Sequence, residues 1–381
     1  MALSSTTNSY LRSVNPLKIL VVSDYSDYHS VRPEAEIFLS LAALGHHIRV
    51  VTKAGSKYAK IFEAAGIQVI DQHPRSKYDK ASIRAIRHIV EEWQPDVLHL
   101  YNNKALSNGL VAARGAAVAV IGYRGSTLNF SAVNPFNYAK HLSHRLDYVI
   151  CNSAGVADKY YNHPFFDSKK VVTINKGHDL SWYESTVSRQ LRQEYQLGDS
   201  TTIFILVATD RTMKGVKYLC KAVNQLPKDS DFALFMIGGG MDSANYGDLL
   251  AMGPHQDKVF RIGHTESALS YVAAADVFVL PSIKGESITK AVLEAMSLGV
   301  CPLITDIPGN QELVDDRKSG MVVRSADSTA LATAMTALIA DGESVANYGT
   351  AAKRRIATNL SHEKTVQGYL RLYDSIVTSS V

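Results

Sequence analysis

Short apolar runs alternate along the chain with stretches whose apolar residues recur every three or four positions. Residues 18–23 (KILVVS) read as a strand. In the stretch 33–44, Ile37, Phe38, Leu41 and Leu44 share one helical stripe, with Pro33 expected in the first turn, Glu34 and Glu36 complementing the dipole and Gly45 as the stop. Strand 47–52 follows. The alternation continues through strand 66–70, helix 80–93, strand 96–100, helix 105–114, strand 117–122 and strand 148–152. Strands alternating with helices predict an open parallel sheet.

Over residues 179–198 (DLSWYESTVSRQLRQEYQLG) the pattern lapses, and a second series starts at 202–208 (TIFILVA). Strands are expected at 232–237, 259–262, 276–280, 300–304 and 321–323, ending in two long helices, 327–341 and 362–377. The expected fold class is therefore α/β, with two Rossmann-like doubly wound domains: an N-terminal one over 17–180, a C-terminal one over 181–360, and a closing helix in 361–381. Two such domains facing each other leave an interdomain cleft at the carboxyl ends of both sheets, where ligands bind in such folds. No internal repeat of the kind that builds a solenoid is present.

A chain of 381 residues, 46% apolar and 20% charged, has the composition of an ordinary globular protein and excludes a disordered or collagen-like one. Cys151, Cys220 and Cys301 lie far apart, an odd number with no metal-binding pair, so reduced thiols and a cytoplasmic location are expected. The opening 18 residues are polar and lack the apolar core of an export signal, and no stretch reaches the length of a membrane span. The net charge of +4 is unevenly placed: residues 1–180 hold 21 Lys and Arg against 14 Asp and Glu, and 181–381 hold 19 against 22. The halves are expected to face different partners, nucleic acid not among them. Part of the basic excess is a stripe, Lys77, Lys80, Arg84, Arg87 and His88, opposite Ile86, Ile89, Val90 and Trp93. Such a stripe is either solvated or rests on an anionic membrane surface or glycan.

Candidate chemistry concentrates in residues 281–312, PSIKGESITKAVLEAMSLGVCPLITDIPGNQE. After the strand and Pro281, a polar loop leads to a helix expected to begin near Ile288 or Thr289 and to stop at Gly299. Free N–H groups of Thr289 and Lys290 at its start suit phosphate oxygens, and Glu286 and Glu294 offer acceptors for sugar hydroxyls. Standing alone, the segment is equally a surface helix with two solvated glutamates. After the strand 202–208, however, comes ATDRTMKG, which puts Arg211 and Lys214 on a loop at a carboxyl strand end. At about 4 Å and an effective dielectric near 20 one cation contributes about 4 kcal/mol to a departing diphosphate, against about 0.3–2 kcal/mol from a helix N-terminus. The cations would dominate leaving-group stabilisation, and no metal is needed. By itself, the loop is also readable as a solvated turn.

These residues resemble the retaining nucleotide-sugar glycosyltransferases of family 4, which have the GT-B fold; the resemblance spans residues 17–377. Glu286 and Glu294 are separated by seven residues, as the paired glutamates of that family are, and Ala295 and Met296 match the helix that follows. The resemblance implies that Glu286 contacts hexose hydroxyls, Glu294 the ribose, and Arg211 with Lys214 the diphosphate, with Ser287, Ile288, Thr289 and Lys290 beside it. Gly240, in IGGG, resembles the strand-end glycines, His264, in RIGH, the loop that holds the base, and Asn175–Asp179 (NKGHD) the segment before the interdomain linker. The helix 362–377 resembles the one that crosses back to the first domain. The implied partners are a nucleoside-diphosphate sugar donor and a glycan or glycolipid acceptor, with no cofactor.

The chain also departs from the family. Arg211 and Lys214 are closer together than usual, Ile288 and Thr289 replace Phe-Gly, and the loop 24–33 (DYSDYHSVRP) has no glycine. In GYRGS, Arg124 stands where many members carry a histidine; it could bind a phosphate but cannot act as a base, or it belongs to a surface turn. On the acceptor side Tyr25, His29 and His99 are candidates, with His99 expected at the cleft edge or hydrogen-bonded in the core. A dehydrogenase is excluded because GGGMDS fails at the third glycine of the dinucleotide fingerprint. Asp229-Ser230-Asp231 precedes a strand and so fits a turn better than a metal-dependent sugar site. A sugar-nucleotide epimerase of the same architecture and a non-catalytic sugar-nucleotide or glycan binder remain as alternatives.

Overall fold

The computed structural model describes residues 15–127, 135–164 and 166–379; most of the polar opening lies outside the described residues. The chain divides into two compact units, Met1–Lys176 with His362–Val381, and Gly177–Ser361.

The first unit holds seven parallel strands, β1 (Lys18–Val22), β2 (His47–Thr52), β3 (Gln68–Asp71), β4 (Val97–Leu100), β5 (Ala119–Arg124), β6 (Tyr148–Cys151) and β7 (Val171–Thr173), in the order β3-β2-β1-β4-β5-β6-β7. The second holds six, β8 (Thr202–Val207), β9 (Phe232–Ile237), β10 (Val259–Gly263), β11 (Val277–Leu280), β12 (Cys301–Thr305) and β13 (Met321–Val323), in the order β10-β9-β8-β11-β12-β13, again all parallel. Each sheet is built outward from its first strand in one direction and then in the other. Connections therefore diverge between β1 and β4 and between β8 and β11, and at such switch points a crevice opens beyond the carboxyl ends of the strands.

The apolar runs are near-continuous because helices cover both faces. Along β8, Phe204 and Leu206 enter one core with Leu234 and Met236, while Ile203 and Ile205 enter the other with Phe235 and Ile237. In β1, Ile19 and Val21 take one face and Leu20 and Val22 the other. Side chains alternating across a strand thus feed two cores per unit.

Three expectations need correcting. The helix expected over 33–44 begins earlier, at Tyr28–Ala43, because Asp27 caps it by accepting from the N–H groups of His29 and Ser30. Pro33 lies inside the helix, and Glu34 is buried rather than facing a dipole. Between the two long C-terminal helices, observed at Ser328–Ala340 and His362–Ser379, stands a third, Gly342–Thr358, capped by Asp341. The segment 179–198 also contains a 3₁₀ turn, Leu180–Tyr183, and a short helix, Leu191–Glu194.

Candidate active site

The loops after β8 and β11 are neighbours because these strands pair, Val277 opposite Phe204 and Phe278 opposite Ile205. The first loop closes in a 3₁₀ turn, Thr212–Lys214, ended by Gly215 at φ +67°. A Cβ on Gly215 would lie 1.9 Å from the carbonyl oxygen of Pro281, so only glycine lets the loops touch. The N–H of Ile283 donates to the carbonyl of Met213 (2.8 Å) and closes the seam.

That seam delivers Lys214 to Glu286, with Nζ 2.5 Å from Oε1 and the two side chains only 17% and 11% exposed. Oε1 also accepts from Ser282 Oγ (3.2 Å), and Oε2 is 3.3 Å from Thr289 Oγ1. Both carboxylate oxygens are therefore held, one by a cation. A charge-assisted pair this little exposed is weakly screened by salt.

The helix that follows is Lys290–Ser297, with Thr289 as its cap residue. It starts a residue or two later than expected. The Thr289 hydroxyl makes no capping bond, since it is turned toward Glu286 and Asn310 instead. The first-turn N–H groups, Lys290 and Ala291 among them, have no acceptor within the helix. Lys290 Nζ pairs with Glu294 one turn on, so each of the two glutamates carries a lysine. Ser287 and Thr289 are buried and Ile288 is half-buried. Gly240 packs on Asp210, which accepts from Tyr246 Oη (2.5 Å) and whose N–H donates to the Gly239 carbonyl. Arg211 is exposed and, among the described residues, its side chain has no hydrogen-bond or ion-pair partner; His264 is exposed too. The structure thus joins Lys214, Glu286, Ser287 and Thr289 in one bonded group, gives Lys290 and Glu294 a pair of their own, and leaves Arg211 and His264 apart.

In the first unit two acceptor-side expectations are corrected. Tyr25 is fully buried, edge-on to Phe62 at 5.0 Å, because the residue after the β1 turn folds back into the aromatic core. His99 is not at a cleft edge. It lies within β4, fully buried on the face it shares with Val97 and Tyr101, among Phe38, Tyr101, Tyr369 and Tyr373, and among the described residues neither ring nitrogen has a hydrogen-bond partner. Burial holds its ring down to about 3. His29 is exposed in the first turn of its helix. Arg124 closes β5 and is 8% exposed, which removes the surface-turn reading. Its Nε donates to the Ser126 carbonyl (2.9 Å) and its Nη1 to His141 Nε2 (2.8 Å). The histidine must therefore accept, and burial together with Arg124 keeps it neutral, down to about 3.

Sequence reasoning missed Ser282 and Asn310 around Glu286, and it missed the buried set of Glu34, Ser23 and Lys176. Glu34 accepts from Ser23 Oγ (2.5 Å) and pairs with Lys176 Nζ (3.1 Å), which also stands 4.3 Å over the Tyr123 ring. The signal was present: Glu34 is three and four residues before Ile37 and Phe38, on the apolar stripe itself. Of the basic stripe all five residues are exposed, but Arg87 donates to the carbonyls of Val111 and Ala112 and His88 lies 3.3 Å from Glu92. Among the described residues no His, Cys, Asp and Glu set could hold a metal ion, and no helix is long and apolar enough to cross a membrane.

Residues 35–182 match the family model for Glycosyltransferase Family 4, and residues 187–355 match that for Glycosyl transferases group 1. The chain belongs to glycosyltransferase family 4. Its two parallel α/β units are those of the GT-B fold. Among its relatives, the N-acetyl-alpha-D-glucosaminyl L-malate synthase of Bacillus anthracis is 26% identical over 210 residues, 55% of each chain. The UDP-Gal:alpha-D-GlcNAc-diphosphoundecaprenol alpha-1,3-galactosyltransferase of Escherichia coli is 24% identical over 283 residues, 69% of this chain and 71% of that one. The match spans little more than half the length of several curated relatives, 55%, 59% and 63%. In fold, the chain is similar to Anabaena HepE solved with UDP, at a TM-score of 0.78 and 18% identity over 95% of this chain and 100% of that one; HepE has also been solved with UDP-glucose. Glu286, in the loop after β11, and Glu294, within the helix that follows, each have a lysine beside them.

Proposed function

We propose that the chain is a retaining glycosyltransferase that moves a sugar from a nucleoside-diphosphate sugar to a hydroxyl of a glycan or glycolipid acceptor, with no metal. The observation that carries this reading is the Lys214–Glu286 pair, held at the switch point between β8 and β11 beside the start of the helix Lys290–Ser297. A carboxylate fixed at both oxygens accepts from sugar hydroxyls, while a cation within reach of it neutralises charge developing on the departing phosphate. Exposed Arg211 swings onto the same diphosphate, and the free N–H groups of the helix start meet its oxygens. Glu294 accepts from the ribose hydroxyls. HepE with UDP-glucose and the lipid-linked sugar in the name of the Escherichia coli relative support a UDP-sugar donor and a glycolipid acceptor.

In the step itself the bond from the anomeric carbon to the β-phosphate oxygen breaks, and the acceptor oxygen bonds to that carbon on the same face. The acceptor's proton passes to the departing phosphate oxygen. Charge balances without a side-chain nucleophile, so Lys214 and Arg211 act on the leaving group and Glu286 on orientation.

The test is release of nucleoside diphosphate from a panel of UDP, GDP and ADP sugars with glycolipid acceptors. Glu286→Ala and Lys214→Ala should each lower transfer by about a hundredfold or more, the scale of one lost transition-state contact. Near-normal rates in both variants overturn the proposal. Interconversion of sugars with no diphosphate released would mean an epimerase, and binding without turnover a non-catalytic protein.

A further inference from the structure

The loop after β12 carries Asn310 to the buried side of Glu286. Asn310 has no exposed surface, and its turn lies so close to the loop after β11 that a Cβ on Gly309 would stand 2.7 Å from Ser287 Cα. Backbone bonds from Asn310 N–H to the Ile307 carbonyl (3.2 Å) and from Leu313 N–H to the Asn310 carbonyl (2.9 Å) hold that turn. The side chain meets Thr289, Oδ1 to Oγ1 at 3.0 Å.

The Thr289 hydroxyl has one hydrogen and three acceptors in reach: Asn310 Oδ1, Glu286 Oε2 at 3.3 Å and the Ser287 carbonyl at 3.4 Å. If Asn310 takes the hydrogen, Glu286 Oε2 loses its donor. Asn310 Nδ2 has no partner in that arrangement, which leaves two N–H donors buried and unused. Turning the amide by half a revolution returns the Thr289 hydrogen to Glu286 and puts one of the two N–H groups to use, and the oxygen and nitrogen of an amide are assigned from the network around them. Nδ2 then donates to Thr289, and Thr289 donates to Glu286. An amide with both N–H groups unused is thereby exchanged for one that donates, and an unused buried donor is the costlier orphan.

We infer that Asn310 is a positioning residue for the donor site: it donates to Thr289 so that Thr289 donates to Glu286 Oε2, while Lys214 and Ser282 hold Oε1. The carboxylate is thereby fixed in plane, with its remaining lone pairs directed at the donor sugar. This inference rests on the role proposed for Glu286.

The experiment follows diphosphate release from whichever UDP, GDP or ADP sugar turns over fastest, as kcat and KM relative to the unmodified protein at each pH. Thr289→Val keeps the shape and removes the hydroxyl; kcat should fall about tenfold or more, the effect of losing one hydrogen bond to an ionised group, while Thr289→Ser restores it. Asn310→Asp replaces the donor by an acceptor of the same shape. It should lose a similar factor near neutral pH and recover in acid, where the new carboxyl is protonated and can donate. Asn310→Ala buries no charge and covers the case in which Asn310→Asp does not fold. Added to Thr289→Val, either Asn310 change should cost almost nothing more. Losses that are independent of pH and multiply with Thr289→Val would overturn the relay, as would normal rates in all four variants. Glu286→Gln separates the two failures: if it leaves turnover intact, the role of Glu286 falls, and if it abolishes turnover while the other variants run normally, only the relay falls.

Discussion

His99 and His141 are neutral in the folded first unit for different reasons. His99 is held to about 3 by burial alone, in an aromatic cage that offers its nitrogens no partner. His141 is held there by burial and by the neighbouring Arg124 and Lys140, and it accepts from Arg124. Both groups have an unfolded value of 6.5. A depressed folded pKa means that the unfolded chain binds the proton first, so the full stability is present above about 6.5 and is lost as pH falls from there toward about 3. Each group removes about 1.4 kcal/mol per pH unit across that window. His99→Leu leaves the cage filled and takes one of the two groups away. In urea titrations at pH 7 and pH 5, the variant should lose about 2 kcal/mol less than the parent between the two; an equal loss in both would show that His99 does not titrate this way. The position was readable in part. Residues 97, 99 and 101 share one face of the sheet, so His99 had to follow Val97 and Tyr101 inward, but the aromatic cage around it depends on Tyr369 and Tyr373 from far along the chain.

At the level of elements, legibility followed the contrast between buried and exposed faces. The helix Lys80–Trp93 was readable to the residue because Ile86, Ile89 and Val90 stand against a basic face and Asp79 caps it. The helix Gly342–Thr358 was not, since its buried stripe is Val345, Gly349, Ala352 and Ile356, two of them too small to register as apolar. That stripe has a steric cause. A Cβ on Gly349 would lie 2.1 Å from the carbonyl oxygen of Gly299, a backbone atom, whereas one on Gly342 meets nothing within 4 Å. Helix propensity favours alanine at either site by up to about 1 kcal/mol. At Gly349 the clash outweighs it: Gly349→Ala should destabilise the second unit by about 1–3 kcal/mol, and Gly342→Ala should be neutral or stabilise it by up to about 1 kcal/mol. Thermal melts of the pair give the signs, and two shifts of the same sign would mean that packing against Gly299 does not govern this helix. The site is subject to the same limit. Glu286 and the two cations were legible as charges on loops and Glu294 as a charge on the helix that follows, but the pairing of Lys214 with Glu286 depends on Gly215 meeting Pro281, a contact across two strands adjacent only in the folded sheet.

For the whole molecule, each unit has a core on both faces of its own sheet, and Arg211, Lys214, Thr289 and Lys290 all belong to the second, Gly177–Ser361. Gly177–Ser361 carries 17 basic side chains against 21 acidic ones, so its overall charge does not favour a diphosphate. Screening confines that opposition, because at physiological salt charges beyond about 8 Å count for little. Binding must then come from the few cations and N–H groups at the switch point. A ligand held only by the folded second unit stabilises it by about 2.7 kcal/mol at a hundred times Kd. Amides of Gly177–Ser361 that exchange only when this unit opens should therefore slow by about a hundredfold in saturating UDP, GDP or ADP, whichever nucleotide the protein accepts. Amides of β1 to β7 should keep their rates, and Lys214→Ala should abolish most of the slowing. Protection appearing chiefly in the first unit, or unchanged by Lys214→Ala, would place the diphosphate elsewhere and remove the basis for giving Lys214 the leaving group.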